Sequence, residues 1–180
     1  MANYTTIDKH TGKTGPKVMI GILINVVILV CFDQFTKYLA ATTLKDNAGI
    51  TLVDGLRLFY LENRGAAFGI LQNKQILFWI LTVIFLAVVA YFLFKVPKNS
   101  YYRPINVCLM FLSAGAVGNF IDRVIRQYVI DFIYFESINF PIFNVADIYV
   151  SIFIIILVLL LIFYYKEGDF SFLKKKKEAL

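Results

Sequence analysis

The chain has 180 residues, of which 59% are hydrophobic and 17% are charged, with a net charge of +6 and a mean hydropathy of +0.72. Soluble domains carry about 25% charged residues, so this composition excludes an ordinary water-soluble domain and indicates an integral membrane protein. The net charge does not indicate a nucleic-acid partner, because most lysines and arginines lie in the two tails and one short loop. The length fits one domain, residues 1–180.

The first element in the chain is a polar, basic tail over residues 1–17, which four long apolar segments follow. An α-helix rises 1.5 Å per residue, so about 20 residues cross the hydrocarbon core of a bilayer. We predict spans near residues 18–41, 76–94, 105–123 and 144–165, and a second basic tail over 166–180. The first apolar segment leads into Asp33 and Lys37, which is a poor cleavage region, so we expect it to be a retained helix.

The distribution of basic residues predicts the orientation of the spans. With both termini in the cytoplasm, the cytoplasmic segments hold eleven lysines and arginines and the two outer loops hold five. This bias predicts an N-in, C-in topology. Three of the spans reach membrane length only by including a polar end, and all three polar ends then lie on the outer side: 33–37, 119–123 and 144–147.

The two outer loops differ in pattern. Residues 50–58 of the first loop partly alternate apolar and polar side chains, which predicts a small amphipathic hairpin at the membrane surface. The second loop, 127–141, is rich in aromatic residues and isoleucine, and we expect it to lie along the membrane interface. The predicted fold class is therefore an all-α membrane protein with four transmembrane helices, a small extracytoplasmic β-hairpin or cradle, and an interfacial loop or helix.

Ionisable residues at the outer ends of the spans are the candidates for function. A charged side chain at membrane depth costs about 2.5–3.5 kcal/mol on insertion scales, so such residues are functional candidates by default. We expect four acids and two cations to converge at this end: Asp33, Asp122, Asp131, Asp147, Lys37 and Arg123.

Two of the acids occur in contrasting sequence contexts. Asn144 and Asp147 lie three residues apart at the start of the fourth span. They either cap that helix or direct both side chains into the bundle. Asp131 lies in an apolar run, where desolvation would raise its pKa unless a partner lies close.

The end of the third span carries three polar residues on one face, because Asn119, Asp122 and Arg123 are spaced at i, i+3 and i+4. Asp122 either forms a local ion pair with Arg126 or takes part in the site. Arg123 is a fixed cation that can hold a carbonyl or carboxylate in a fork, which favours a functional role.

Two further segments carry weaker signals. Asp33 and Lys37 are four residues apart and are predicted to form an ion pair, either structural or in contact with a substrate. The segment 63–69, which begins with Asn63, contains Gly65 and Gly69 with small residues between them. Such glycines permit a tight turn or a close backbone approach.

Several kinds of site are not expected. The single histidine, His10, lies in the N-terminal tail, so a Ser-His or Cys-His nucleophile is not expected at the outer side. Cys31 and Cys108 are expected to pack among apolar residues, and no spacing indicates a metal site. An enzyme built from these residues would use paired carboxylates, one deprotonating water and the other protonating the leaving group.

The competing class is a small proton-coupled transporter or channel subunit, since carboxylates in spans also serve proton relays. That class predicts polar residues spread through the membrane depth. Here the acids cluster at one side. A scaffold subunit would leave the convergent acids without a role.

Five blocks in this order resemble the lipoprotein (type II) signal peptidases of bacteria. The resemblance covers nearly the whole span region, and the blocks are DQFTK (33–37), NRGAAFG (63–69), GNFIDR (118–123), VIDF (129–132) and FNVAD (143–147). Each block alone is weak, whereas all five with four predicted spans form a specific signature. The long polar N-terminal tail is the main departure from the family pattern.

The resemblance implies an aspartic endopeptidase that removes the signal peptide of diacylglyceryl-modified prolipoproteins by cleaving before the lipidated cysteine. It assigns Asp131 and Asp147 as the catalytic pair, with Asp122 supporting or the runner-up. It gives substrate-binding or orienting positions to the remaining motif residues: Asn119, Arg123, Asn144, Asn63, Gly65, Asp33 and Lys37. The expected setting is the bacterial cytoplasmic membrane, with the site at the extracytoplasmic face, a monomer in contact with membrane lipids, and no metal, organic cofactor or nucleic acid.

Overall fold

The computed structural model of the chain describes residues 16–65 and 75–173. Most of the N-terminal tail, the end of the C-terminal tail, and residues 66–69 of the second motif block lie outside these described ranges. The helices are α1 (Pro16–Thr43), α2 (Gln75–Lys95), α3 (Arg103–Arg126) and α4 (Val145–Leu159), the last of which continues into a π-helical turn, Leu160–Tyr164. The strands are β1 (Ile50–Val53), β2 (Leu56–Asn63) and β3 (Val129–Phe135), and 3-10 turns form at Glu136–Ile138 and Glu167–Leu173.

All four predicted spans are confirmed as helices long and apolar enough to cross a membrane, with 20 to 27 residues each. Twenty residues at 1.5 Å per residue span about 30 Å, the thickness of the hydrocarbon core. The outward surfaces of α1, α2 and α4 carry many exposed isoleucine, leucine, valine and phenylalanine side chains. Such surfaces face lipid favourably, whereas the charged side chains of Asp33 and Lys37 on α1 are buried inside the bundle.

Helix α3 lies at the centre of the bundle and packs against the other three helices. It is the most buried of the four, and it carries the small residues Ser113, Ala114, Gly115 and Gly118 among its buried positions. Small residues at a helix interface let neighbouring backbones approach closely, which is how membrane helices pack without a hydrophobic driving force between them.

The chain turns sharply at the end of α3. Gln127 adopts a left-handed conformation with φ of 68°, and its N–H donates to the carbonyl of Arg123 at 3.2 Å. This left-handed cap ends the helix and directs the chain into β3. The polar end of α3 therefore lies directly beside the sheet.

The sheet contains the predicted hairpin. β1 and β2 pair antiparallel around Asp54 and Gly55, and Gly55 has a positive φ of 81°, which glycine adopts without steric cost. The structure adds a third strand, because β3 pairs antiparallel with β2 and gives the order β1-β2-β3. In the register of this pair, Leu61 lies opposite Asp131.

Strand β3 was not predicted as a strand, although its composition suits one. Its valine, isoleucine, phenylalanine and tyrosine residues favour extended structure, but the decisive partner is the edge of β2. Farther along the same loop, Ile138 and Phe140 are 71% and 47% exposed, which fits the interfacial position expected for this segment.

Two contacts fix β3 against the helices. Ile130 and Phe132 pack on Ala40 and Leu44 at the end of α1. Ile133 exchanges backbone hydrogen bonds with Phe143, 2.8 and 3.0 Å long, just before α4 begins. The buried strand is thus held beside the C-terminal ends of α1 and α3 and the first turn of α4.

We predict that Gly118→Ala destabilises the bundle by about 1–3 kcal/mol, the usual cost of overpacking. A Cβ at Gly118 would lie 2.5 Å from Oδ2 and 3.2 Å from Cγ of Asp33, so this buried carboxylate would have to move from its ion pair with Lys37. Thermal unfolding in detergent measures the effect, and the matched control is Gly21→Ala, where a Cβ meets nothing within 4 Å. Equal melting temperatures for the two variants would contradict this packing.

Candidate active site

The predicted site residues come from five elements that meet at one end of the bundle. Asp33 and Lys37 lie near the end of α1, while Asn119 and Arg123 lie near the end of α3. The remaining positions come from the end of β2, from β3 and from the start of α4. The expected convergence of acids and cations is observed among the described residues.

Asp131 is buried, with 1% of its surface exposed, and two amides hold its carboxylate. Asn63 Nδ2 donates to Oδ2 at 2.8 Å, and Asn144 Nδ2 donates to Oδ1 at 2.6 Å. Both donors are neutral, and no cation of residues 16–65 and 75–173 pairs directly with this carboxylate, so hydrogen bonds orient it. Its charge therefore remains sensitive to its surroundings.

Asp147 is held by the first turn of its own helix. Its backbone N–H donates to Asn144 Oδ1 at 3.0 Å, and Asn144 N donates back to Asp147 Oδ2 at 3.1 Å. This reciprocal capping box satisfies two N–H groups at the start of α4. The two alternatives for this pair, capping or an inward role, are therefore both realised, because Asn144 caps α4 and also reaches Asp131.

Asn119 links the buried cation of α1 to Asp147. Its Nδ2 donates to Asp147 Oδ1 at 2.8 Å, while its Oδ1 accepts from Lys37 Nζ at 2.9 Å and from Asn144 Nδ2 at 3.2 Å. Because an ammonium group only donates, Lys37 requires the amide oxygen to face it. The amide nitrogen must then face Asp147.

Lys37 is fully buried and forms two ion pairs, each 2.9 Å long, with Asp33 and Asp122. The predicted Asp33–Lys37 pair is thus confirmed. Asp33 Oδ1 also accepts from the N–H of Ala146 at 2.9 Å, so this pair ties α1 to the start of α4. Within the described residues, the contacts of Asp33 and Lys37 connect α1 to α3 and α4, which is a structural role.

Asp122 is buried and lies between two cations, since Arg126 Nη1 also donates to it at 2.6 Å. The predicted local pair with Arg126 is therefore present together with the longer-range pair to Lys37. Among the described residues, the ones that line the cavity beside Asp131 and Asp147 do not include Asp122. Its geometry fits a supporting position.

Arg123 lies beside the cavity rather than in a buried ion pair. Its guanidinium sits 4.8 Å from the ring centre of Phe78 on α2, in a cation–π contact. The only hydrogen bond from this side chain within the described residues is a long one, 3.5 Å, to the carbonyl of Asn119. Most of its five donors therefore remain available to an incoming group.

Gly65 supports Asn63 from the end of β2. Its N–H donates to Asn63 Oδ1 at 3.0 Å, forming a local turn that directs Asn63 Nδ2 toward Asp131. Gly65 is buried. Its predicted place in the site is thus that of a support for Asn63.

The two carboxylates line one cavity of about 280 Å³, together with Asn63, Asn119 and Arg123. The opposite wall is apolar and comes from the segment before α4: Phe140, Pro141, Ile142 and Phe143. Burial, and after it the nearby Asp147 carboxylate, together raise the pKa of Asp131 to about 7, against the hydrogen bonds from Asn63 and Asn144. Such a pair can share one proton near neutral pH.

Sequence reasoning missed two contributors to this region. Ser151 lines the cavity, and its position four residues after Asp147 on the same helix face could have indicated it. Gln34 donates to the carbonyl of Gly118 at 3.1 Å and to Asp33 at 3.2 Å. Among the described residues, no group of three histidine, cysteine, aspartate or glutamate side chains is placed to hold a metal ion.

We predict that Lys37→Met lowers the free energy of unfolding by about 3–5 kcal/mol, because it leaves two buried carboxylates without their shared cation. Cys31 is exposed, contrary to its expected packing, so a thiol-reactive dye reports the exposure of buried Cys108 on heating only in a Cys31→Ser background, in which both variants are compared. The control is Lys45→Met, which removes a half-exposed pair with Glu62 worth at most about 1 kcal/mol. Comparable losses in both variants would contradict the structural importance of the buried pair.

The raised pKa of Asp131 predicts how stability changes with pH. The folded protein binds the proton of the Asp131 carboxyl more tightly than the unfolded chain does. The contribution of this protonation to the free energy of unfolding is therefore full below pH 3.8 and is lost as the pH rises to about 7. The loss is at most about 1.4 kcal/mol per pH unit. The melting temperature of the unmodified protein should therefore fall relative to that of Asp131→Asn across this window.

The control for this pH series is Asp54→Asn, in the exposed hairpin turn. Its melting curve should parallel that of the unmodified protein at every pH. A constant difference between Asp131→Asn and the unmodified protein across the window would refute the raised pKa.

Comparisons with known proteins show which family the chain belongs to. A curated lipoprotein signal peptidase from Caldanaerobacter subterraneus subsp. tengcongensis is 46% identical over 130 residues, which are 71% of this chain and 86% of that protein. Two solved structures of bacterial membrane enzymes, at 2.3 and 1.9 Å resolution, match with TM-scores of 0.72 and 0.70 and 38% identity. They cover 89% and 81% of this chain, and in each case 94% of the solved chain. Residues 25–163 match the family described as Signal peptidase (SPase) II, and the chain belongs to that family.

Proposed function

We propose that this protein is an aspartic endopeptidase that removes the signal peptide from diacylglyceryl-modified prolipoproteins, cleaving before the lipidated cysteine. The membership in the signal peptidase II family and the 46% identical lipoprotein signal peptidase support the substrate class. The observation that carries the catalytic type is the placement of Asp131 and Asp147 on one cavity, joined through Asn144.

The proposed reaction uses the two carboxylates as a pair that shares one proton. Two acids held close do not both ionise easily, so near neutral pH one is charged and the other protonated. The charged member deprotonates a water molecule, which attacks the scissile carbonyl, and the protonated member donates to the departing amine. The apparent pKa values belong to the pair, and the activity should follow a bell-shaped pH profile.

The surrounding polar residues have positioning roles in this proposal. The amides of Asn63, Asn119 and Asn144 hold both carboxylates in fixed orientations without neutralising them. Arg123 lies at the cavity wall with unused donors, which suits binding of a backbone carbonyl of the substrate. Lys37 and Asp33 act from behind the site, through Asn119 and the start of α4.

An apolar groove leads from the carboxylates into the membrane. It has a volume of about 390 Å³ and lies between α2, α3 and α4, where Leu81, Phe85 and Val150 line it. It shares Asn119, Arg123, Asp147 and Ser151 with the catalytic cavity. A substrate with an apolar segment could therefore reach the carboxylates from the bilayer, in the low-dielectric setting that strengthens their electrostatic action.

The proposed setting is the bacterial cytoplasmic membrane, with the protein as a single-domain monomer and the catalytic cavity at the extracytoplasmic face. Basic residues at the opposite end of the bundle, including Lys98, Arg103 and Lys166, suit the cytoplasmic side. The exposed apolar residues Ile138 and Phe140 suit contact with the outer leaflet. The chemistry of paired carboxylates requires neither a metal ion nor an organic cofactor.

We predict that Asp131→Asn and Asp147→Asn each lower the cleavage rate at least about 1,000-fold, because an amide can neither accept the proton of water nor share one. The assay follows the mass loss of a purified diacylglyceryl prolipoprotein, and an unlipidated form of the same substrate should be cleaved far more slowly. Asp54→Asn, in the exposed hairpin turn, should cleave at the unmodified rate.

Asp122→Asn separates the proposed pair from its runner-up. It should lower the melting temperature, through the lost pairs with Lys37 and Arg126, but retain measurable cleavage. Turnover retained by Asp131→Asn or Asp147→Asn, together with its loss in Asp122→Asn, would overturn the assignment.

A further inference from the structure

Two grooves flank the first turns of α3, at the end of the bundle opposite the carboxylates. One lies between α1 and α3, with a volume of about 440 Å³, and Val18, Ile22 and Met110 form its apolar wall. The other lies between α3 and α4, with a volume of about 380 Å³, and its apolar wall includes Phe153 and Ile156. Side chains of the spanning helices line both grooves.

The two grooves meet at three shared residues, Ser100, Arg103 and Val107. Val107 forms the apolar ridge between them, and Arg103 lies at the first position of α3. Arg103 is exposed, and its guanidinium has no hydrogen-bond or ion-pair partner within residues 16–65 and 75–173. The mouth common to both grooves therefore carries an uncompensated cation.

Lys98 adds a second positive charge to the wall of the first groove. Its ammonium donates to the carbonyls of Leu93 and Val96 and to Asn106 Oδ1, at 2.5 to 2.9 Å, so all three of its donors are used inside the protein. Burial lowers its pKa to about 8, which leaves it mostly charged at pH 7. Among the described lining residues of either groove there is no acid to neutralise these cations.

We propose that this place binds one anionic phospholipid, with its phosphate against Arg103 and Ser100 and one acyl chain in each groove, astride the first turns of α3. A free phosphate ion would use only the cationic mouth, whereas a diacyl lipid also covers both apolar walls. The charge of the head group complements Arg103 and Lys98, which is the basis of anionic-lipid recognition by basic residues at a membrane surface.

This lipid site is separate from the substrate cavity. Arg103 and Asn119 lie on the same helix, and their positions are about 24 Å apart along its axis at 1.5 Å per residue. A bound lipid would occupy the groove between α1 and α3 and the groove between α3 and α4. It would thereby hold the three helices together at this end. The site does not depend on the proposed peptidase chemistry, and its test needs no cleavage assay.

Native mass spectrometry of the purified full-length protein in detergent tests the site. Titration with phosphatidylglycerol should give one retained lipid per protein, with phosphatidylcholine binding more weakly. Arg103→Gln should weaken the phosphatidylglycerol affinity by roughly fivefold, the usual contribution of one basic residue near a membrane surface. Lys166→Gln is the matched control, since this exposed lysine lies at the same end of the bundle outside both grooves.

A second variant, Val107→Phe, leaves all charges in place. Its larger side chain occupies part of the two grooves that Val107 lines. It should also weaken phosphatidylglycerol binding, and melting temperatures near that of the unmodified protein would show that both variants are folded. Equal weakening by Lys166→Gln, or unchanged binding in Arg103→Gln and Val107→Phe, would overturn the proposal. Displacement of the lipid by glycerol phosphate alone would also overturn it, because the apolar grooves would then contribute nothing.

Discussion

The fully buried ammonium group of Lys37 organises the end of the bundle at which the carboxylates meet. Lys37 is fully enclosed, and it is held between Asp33 and Asp122 with Asn119 as a third acceptor. Burying an ion is costly, and the cost is offset only where its partners are close and its hydrogen bonds are complete. Since Arg126 also pairs with Asp122, two cations balance two anions, and the cluster carries no net charge.

The carboxylates that line the cavity are held differently. Asp131 and Asp147 contact amide groups and backbone N–H groups in place of ammonium or guanidinium groups. Neutral hydrogen-bond donors orient a carboxylate, and the pKa of its carboxyl group is then set mainly by burial and by the second carboxylate. Ion pairs therefore join the helices, whereas asparagine amides orient the two carboxylates of the cavity. Asn119 connects the two groups, because it contacts both Lys37 and Asp147.

The individual contacts predicted from sequence are those between residues close together in the chain. The Asp33–Lys37 pair, the relation of Asn144 to Asp147 and the hairpin around Gly55 follow from spacings of two to four residues, which helix and strand geometry translate directly into contacts. The pairing of β3 with β2 was not predicted, because it joins segments separated by the whole of α2 and α3. The same holds for the bond from Asn63 to Asp131, 68 residues apart. The motif resemblance supplied the members of the site, but their hydrogen-bond partners required the fold.

The reciprocal cap at the start of α4 couples the first turn of this helix to the orientation of the two carboxylates. Asn144 and Asp147 each need the other to satisfy the first turn, and each also forms a hydrogen bond with a neighbour, Asn144 with Asp131 and Asp147 with Asn119. Fraying of that turn would release Asp147 and detach Asn144 from Asp131 in the same event. Under the proposed mechanism, both acids would lose their orientation together, so the loss of one helical turn would end catalysis.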